Sequence, residues 1–274
     1  GSRSGAGRHE VVVIDLTFAC MGTEVRLIGH EVGPAAAFVR RAAAALTRFD
    51  PGSELSRGET TPLLREALRA AELAYEISGG LVDHMLGDAI VRTGYDRTHS
   101  ELELVPLTEA LALAPARQPA RPAAHRGIRL DLGGSAKGWI ADVLVERFGL
   151  DVADVGGDIR ARKAITVLVE HPLTGEQRPL HVAHAVATSG LARRVWRTAD
   201  GGVAHHLLDP STGAPAWTGL AGATALAPTA VEAEALAKTA FLLGGAAPLE
   251  RHGGALHHED GRTQVCGPDL QVAA

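Results

Sequence analysis

The sequence predicts an α+β fold built from mixed helical and sheet layers. Two observations carry the prediction. Short β-branched or alternating runs recur along the chain and read as strands, while Ala- and Leu-rich runs of helical period stand between some of them. The two kinds do not alternate strictly, which argues against a doubly wound nucleotide fold. At 274 residues the chain can bury one large core or two small ones. It reads as one domain over residues 10–274 after a polar segment 1–9, whose Gly1-Ser2 looks like an expression-vector remnant.

The elements follow in order. Glu10–Asp15 and Glu24–Ile28 read as strands flanking Cys20-Met21-Gly22-Thr23. Pro34–Arg48 is Ala-rich and helical, with a proline near its start. Asp50-Pro51-Gly52-Ser53 is a turn, and Ser53–Arg57 continues as an irregular loop. Pro62–Ser78 is a helix with Leu64, Leu68, Ala71 and Tyr75 on its apolar face, stopped by Gly79-Gly80. Leu81–Thr93 and Pro106–Ala114 read as shorter helices, and 115–127 as a Pro/Ala/Arg-rich loop. Ile128–Leu132 looks like a strand entering Gly133-Gly134 and a helix to about Phe148. Asp154–Ile159 reads as a strand end with a second Gly-Gly, and strands are expected at Ile165–Glu170, His181–Thr188, His205–Leu208 and Leu220–Ala227. Thr229–Leu243 is a helix ended by Gly244-Gly245, and Leu256–His258 with Thr263–Cys266 closes the chain as a hairpin.

Composition excludes several classes. Net charge is −5, and no basic stripe interleaved with aromatics appears, so nucleic acid is not an expected partner. No run approaches the ~18 apolar residues of a membrane span, and no apolar leader precedes Cys20, so a cytoplasmic location is expected. Two cysteines, Cys20 and Cys266, make neither a disulfide framework nor a zinc knuckle and read as reduced thiols. Aromatics are 4% of the chain, so the core must be largely Ala, Val and Leu.

The segment Asp131-Leu132-Gly133-Gly134-Ser135-Ala136-Lys137-Gly138 carries the clearest chemistry. Glycines remove the Cβ atoms that would block a ligand, and the amides opening a helix suit an anion such as phosphate. Lys137 adds a full charge in the first turn. A tight strand-to-helix connection is the plain alternative. Other segments offer similar pairs of readings. Met21-Gly22-Thr23 is a ligand wall or an ordinary turn. Ser53 and Ser56 are ligand hydroxyls or loop caps. Gly156-Gly157 with Asp158 is a second close-approach point or a bulge. Ser189 is a polar contact after a buried strand. His206 is the best acid/base candidate, since imidazole titrates near neutrality. Asp209 either meets a ligand or holds the Asp-Pro-Ser-Thr-Gly turn. His257-His258-Glu259-Asp260 looks metal-like, but neighbours on a strand face opposite ways, so it reads as a solvated hairpin.

Taken in order, Met21-Gly22-Thr23, Ser53-Glu54-Leu55-Ser56-Arg57, Asp131–Gly138, Val155-Gly156-Gly157-Asp158-Ile159, Thr188-Ser189-Gly190, His206–Gly213 and Ala233–Lys238 resemble the ApbE family of FAD:protein FMN transferases. The resemblance covers about residues 18–266 and implies a T-fold-like mixed α/β layer fold. It implies FAD as substrate, Mg²⁺ as metal, and an acceptor protein whose Thr or Ser receives FMN with release of AMP. By the same resemblance Gly133, Gly134, Ser135 and Lys137 meet the diphosphate, and Met21, Gly22 and Thr23 line the flavin or adenine; Lys238, a departure from the pattern, joins the cofactor set by pairing with a phosphate in the cation's place. Ser53, Ser56, Asp83, Gly156, Gly157, Asp158, Ser189, His206 and Asp209 complete the cofactor set. His206, Lys137 and Glu234 are the catalytic candidates, and the Ala136 carbonyl and Glu234 the metal ligands.

Three departures from the family pattern stand out. Where the family has an Asp and, one turn later, Thr or Ser at the metal, this chain has Glu234 and Lys238, four apart on one helix face. An ammonium cannot ligate a cation, so Lys238 either takes the cation's place or forms a plain surface pair with Glu234; Thr239 lies about 100° round the helix. Near residue 83 the family's Asp-Pro-Thr reads Asp83-His84-Met85, and the Asn after the Ser53–Arg57 loop is replaced by Gly58-Glu59. These changes leave two further outcomes open: an FAD pyrophosphatase giving FMN and AMP, or a flavin-binding relative without catalysis.

Overall fold

Alternation of apolar residues along successive short runs gives a sheet with two unlike faces. The computed structural model describes residues 12–267 except 125. Its strands are β1 (Ile14–Cys20), β2 (Thr23–Gly29), β3 (Val152–Val155), β4 (Asp158–Ala161), β5 (Ile165–Glu170), β6 (Gln177–Val182), β7 (Ala185–Gly190), β8 (Val195–Arg197), β9 (Val203–His205), β10 (Leu208–Asp209), β11 (Ala214–Pro215), β12 (Leu220–Ala227), β13 (Gly254–His258) and β14 (Thr263–Cys266). Among the described residues eight of them form one antiparallel sheet, in the order β1-β2-β3-β4-β7-β12-β13-β14. The rest pair as three small ribbons, β5-β6, β8-β9 and β10-β11.

The helices are α1 (Val32–Leu46), α2 (Glu54–Arg57), α3 (Pro62–Ile77), α4 (Gly87–Arg92), α5 (Leu107–Leu113), α6 (Ala136–Glu146) and α7 (Ala230–Leu243). On β7, Ala185 and Ala187 join the core shared with α1, α3 and α6, while Val186 between them packs with Ile159 and Val182. Helices therefore cover one face, and the β5-β6 ribbon lies against part of the other. The α+β class is observed, and the sheet is antiparallel throughout.

Helix α7 lies against β7, β12, α6 and α3 and is almost wholly buried. Its Ala233, Ala235, Ala237 and Ala240, and Ala221, Ala223 and Ala225 of β12, are fully buried. Small side chains at this layer let backbones approach closely, so few aromatics are needed. Thr229 caps the start of α7, and Gly244 at φ 66° ends it. The Asp142 carboxylate of α6 accepts from the amides of Ala230 and Val231 at 2.8 and 3.0 Å, which fixes α7 against α6.

Five expected elements differ. Ile128–Leu132 is no strand; it bends at 128–129 and lies beside residues 84–87, bonding through Asp131 N to His84 O and Gly87 N to Arg129 O. Leu81–Thr93 is helical only over α4, because the Asp83 carboxylate takes the Met85 amide and turns the chain. Ser53–Arg57 is a short helix rather than an irregular loop. The predicted strand His181–Thr188 is two, β6 and β7, broken at residues 183–184. The predicted strand His205–Leu208 is broken at His206-Leu207 between β9 and β10. The segment 1–9 and the start of the strand expected from Glu10 lie outside the described residues. No described helix is long and apolar enough to cross a membrane.

Candidate active site

A cavity of about 630 Å³ opens between the α1 end, the 81–86 segment, the 131–137 turn and α7. That volume falls within the roughly 300–1,000 Å³ of small-molecule sites. Part of its wall is apolar and aromatic, with Met21, Leu46, Phe49, Leu86, Ile90 and Tyr95. Another part carries Gly133, Gly134, Ser135, Lys137, Lys238, Arg194 and His206.

The two strand ends at Cys20 and Thr23 pair directly, so Met21-Gly22 is a two-residue hairpin turn. Both residues adopt left-handed φ, 55° and 66°, as such a turn requires. For Met21 that backbone costs about 1 kcal/mol, and the strained residue projects into the cavity wall.

The 131–137 turn is held from outside. Asp131 accepts the Gly133 amide at 2.7 Å and is itself gripped by Arg48 Nε at 2.7 Å. Arg48 also donates to Tyr95 O at 2.8 Å and stacks over Phe49 and Tyr95. The amides of Ser135 and Ala136 bond to Leu132 O, and that of Gly138 to Glu234. Among the amides from Gly133 to Gly138, only those of Gly134 and Lys137 have no partner among the described residues, fewer than an open helix start would offer. A Cβ on Gly134 would meet only ordinary contacts, 3.6 Å from Val82 and 4.0 Å from Lys238 Cε, beside the cations.

Behind the turn runs a row of alternating buried charges. Lys137 Nζ bonds to Asp158 and lies 3.2 Å from Glu234 Oε1, which also accepts from Lys238 Nζ at 2.7 Å. Glu234 is fully buried and Lys238 is 7% exposed, so the pair is not the surface pair that one sequence reading allowed. Burial pushes the Glu234 carboxyl up, but Lys137, Lys238 and three hydrogen bonds outweigh it and bring it to about 2. Burial, then the charge of Glu234, pushes Asp158 up to about 7 against the pull of Lys137. Glu234, with three donors, is the carboxylate of the row, and Asp158 is the acid that takes up a proton. Burial lowers Lys238. In Lys137, Asp158 and Glu234 override burial and hold the ammonium above its ordinary value.

His206 sits in the break between β9 and β10, half-buried on the cavity wall, and its Nδ1 has no partner inside the fold. Burial, then Arg194, His205 and the two lysines, holds its imidazole well below the usual range. It is therefore neutral at physiological pH. Its neighbour His205 is fully buried, edge-on to Trp217 at 4.6 Å, and burial pushes it down to about 3. Arg194 makes no hydrogen bond or ion pair among the described residues, although its charge is felt at Lys137 and His206.

Comparison with known proteins bears on this geometry. The model of the ApbE family matches residues 21–255. The chain belongs to the ApbE family. It is similar to the FAD:protein FMN transferase of Treponema pallidum, 30% identical over 218 residues, covering 70% of this chain and 57% of that relative. It is also similar to the protein of the same name from Haemophilus influenzae, 30% identical over 138 residues, or 45% and 40% of the two chains. The chain thus spans about half the length of these relatives. Among solved structures it resembles the ApbE protein of Thermotoga maritima, with a TM-score of 0.72 at 22% identity over 93% of this chain and 97% of that one. The apo ApbE flavinyl transferase of Pseudomonas stutzeri gives 0.68 at 20% identity over 93% and 95%. These likenesses show the fold.

In this ApbE-family chain Met21, Gly22, Asp83, Gly133, Gly134, Ser135, Ala136, Lys137, His206 and Lys238 line the cavity. Glu234 and Asp158 stand behind them and touch the lysines. The Asp83 side chain is buried; Oδ1 is held by Arg126 and the Met85 amide, and Oδ2 has no partner inside the fold. The remaining candidates lie outside the lining. Ser53 caps α2 through the Ser56 amide and donates to Thr47 O, so its hydroxyl is used within the fold, and Ser56 belongs to the same short helix. Gly156-Gly157 is the β3-β4 turn; a Cβ at Gly156 would meet Thr23 Oγ1 at 2.5 Å, so this glycine serves packing against Thr23. Asp209 ties its own turn to Arg121 and Ser211. Ser189 is buried within β7. His257, expected in a solvated hairpin, is buried and bonds to Thr224 at 3.0 Å, because β13 is flanked by strands on both sides.

Arg194, Arg48 and Asp131 were not among the residues expected to bind. Asp131 and Gly138 stand in the quoted motif. Arg194 follows no local signal at all, since an arginine next to Arg193 reads as surface charge.

The donor set does not fit a divalent cation. Both Glu234 oxygens already accept, Oε1 from two ammoniums and Oε2 from the Gly138 amide at 2.9 Å. Of the second acid, Asp158, Oδ2 is taken by Lys137 and the buried Oδ1 alone has no partner among the described residues. Among the described residues no group of three or more Asp, Glu, His or Cys is placed to hold a metal ion.

Proposed function

We propose that this chain moves FMN from FAD onto a Thr or Ser hydroxyl of a partner protein and releases AMP. The observation that carries this reading is the meeting, in one cavity, of an unobstructed glycine, three cations and a neutral histidine beside an apolar wall. The relatives named FAD:protein FMN transferase support the substrate class. In this reading the apolar wall takes the flavin and adenine, and Gly134 lets phosphate oxygens approach Lys137, Lys238 and Arg194.

The hydroxyl oxygen of the acceptor attacks the FMN phosphorus. Its new O–P bond forms as the bridging P–O bond to the AMP phosphate breaks. The hydroxyl proton passes to the neutral imidazole of His206, and AMP leaves with its phosphate charge held by the cations. Such transfers need positioning and charge neutralisation more than covalent help from the protein. No step here is routed through a metal ion.

Incubation with FAD and a Thr-bearing acceptor tests the reading, with AMP followed by chromatography and the acceptor by mass spectrometry. AMP together with a phosphoester-linked FMN on the acceptor is expected. AMP with free FMN would replace transfer by hydrolysis, and no AMP would overturn catalysis.

A further inference from the structure

We propose that Lys238 is the resident cation of this site: its ammonium stands where a metal ion on Glu234 would stand, and it holds the substrate's diphosphate without a divalent metal. The inference rests on the FAD reading of the cavity.

A cation bound to Glu234 Oε1 would have to displace Lys238 Nζ, 2.7 Å away. Lys238 is anchored on buried α7 and lines the cavity, so a displaced ammonium would turn into the cavity and stay near the incoming ion as a like charge. Asp158 Oδ2 is taken by Lys137, which leaves its buried Oδ1 as the one carboxylate oxygen of the pair without a partner among the described residues. The same lysine is open toward the ligand: it lines the cavity, and the missing Cβ of Gly134 leaves room 4.0 Å from its Cε.

The charges are suited to the task. Lys137, Lys238 and Arg194 line the cavity together, with the carboxyl groups of Glu234 and Asp158 behind the two lysines. An ammonium gives point-charge neutralisation with three donors, which is the service a metal would perform at the phosphates. Arg194 adds a planar donor set with no competing partner among the described residues.

The test is calorimetric titration of the intact chain with FAD and with inorganic pyrophosphate, in EDTA and in Mg²⁺. The FAD dissociation constant in EDTA is expected within about threefold of that in Mg²⁺. Lys238→Met should weaken binding in EDTA by about tenfold or more, while Lys238→Arg keeps most of it. The double variant Glu234→Gln with Lys238→Met removes the pair without orphaning the carboxylate, should the single variant fold poorly. Binding that requires Mg²⁺, or affinity unchanged in Lys238→Met and in the double variant, would overturn the proposal. Pyrophosphate binding in EDTA that depends on Lys238, with no FAD binding, would leave the proposal standing and remove the FAD reading. Failure of both ligands to bind would remove both.

Discussion

Glycines 133, 134 and 156 show how one residue type serves different ends. A Cβ at Gly156 would strike Thr23, and one at Gly133 would stand 2.9 Å from the pinned Asp131 carboxylate. At Gly134 it would meet ordinary contacts at 3.6 and 4.0 Å. Packing therefore does not demand glycine at 134, and a ligand explains it better. Gly134→Ala is expected to keep stability within about 0.5 kcal/mol while FAD affinity falls about tenfold, one methyl now standing where phosphate oxygens approach. Thermal melts and flavin fluorescence titration read the two effects separately; a loss of stability with unchanged affinity would assign the glycine to folding. Reading such roles from sequence succeeds unevenly. Lys238 and Glu234, four apart, were legible as neighbours on one helix face. Their complete burial was not, because it depends on β7, β12 and α6 closing around α7. Ser53 was legible as a hydroxyl, but whether it faced a ligand or capped a helix turned on the local backbone.

At the scale of elements, the site is a contact between two helices. Gly138 lets α6 approach α7 so closely that a Cβ there would lie 2.7 Å from Ala230 O and 2.9 Å from Glu234 Oε2. The same closeness delivers the Gly138 amide to Glu234, and Asp142 one turn on binds the first amides of α7. Gly138→Ala is expected to force the helices apart, costing about 1–3 kcal/mol, and to weaken FAD binding because Glu234 moves with its lysines. Denaturant midpoints and FAD titration check both; a variant as stable as the parent would refute this account of the helix contact. Long periodic helices such as α3 and α7 were legible from capping residues and apolar spacing. The strand expected at 128–132 and the long helix at 81–93 were not, because a side-chain bond from Asp83 to the Met85 amide and pairing with residues 84–87 override local propensity.

Across the whole molecule, the cavity gathers residues as distant in sequence as Met21, Lys137, Arg194 and Lys238. Periodicity alone could not join them; the order of short motifs did, and Arg194, belonging to none, escaped. Buried histidines set the pH response. His205 is pushed down to about 3 and His257 to about 4 by burial, whereas in an unfolded chain each titrates near about 6.5. Below that pH the unfolded chain binds the extra protons, so stability is full above it and falls as pH drops toward 3. The slope is up to about 1.4 kcal/mol per pH unit for each such histidine. Burial raises Asp142 to about 6 and Asp158 to about 7, which opposes this loss over the same range, so the histidine effect is read as the difference between the parent and His257→Gln; urea midpoints with the same pH profile in both would contradict it. We also propose that residues 10–274 are one domain, since α7 packs against strands and helices from both halves of the chain. The most direct measurement of the central claim, that the cations hold the diphosphate of FAD, compares FAD with riboflavin in the parent and in Arg194→Met. No hydrogen bond or ion pair joins Arg194 to the described residues, so its loss strands no carboxylate among them. The account predicts an FAD affinity about tenfold weaker with riboflavin affinity unchanged. Equal FAD affinity in the two proteins, or an equal loss for both ligands, would contradict it.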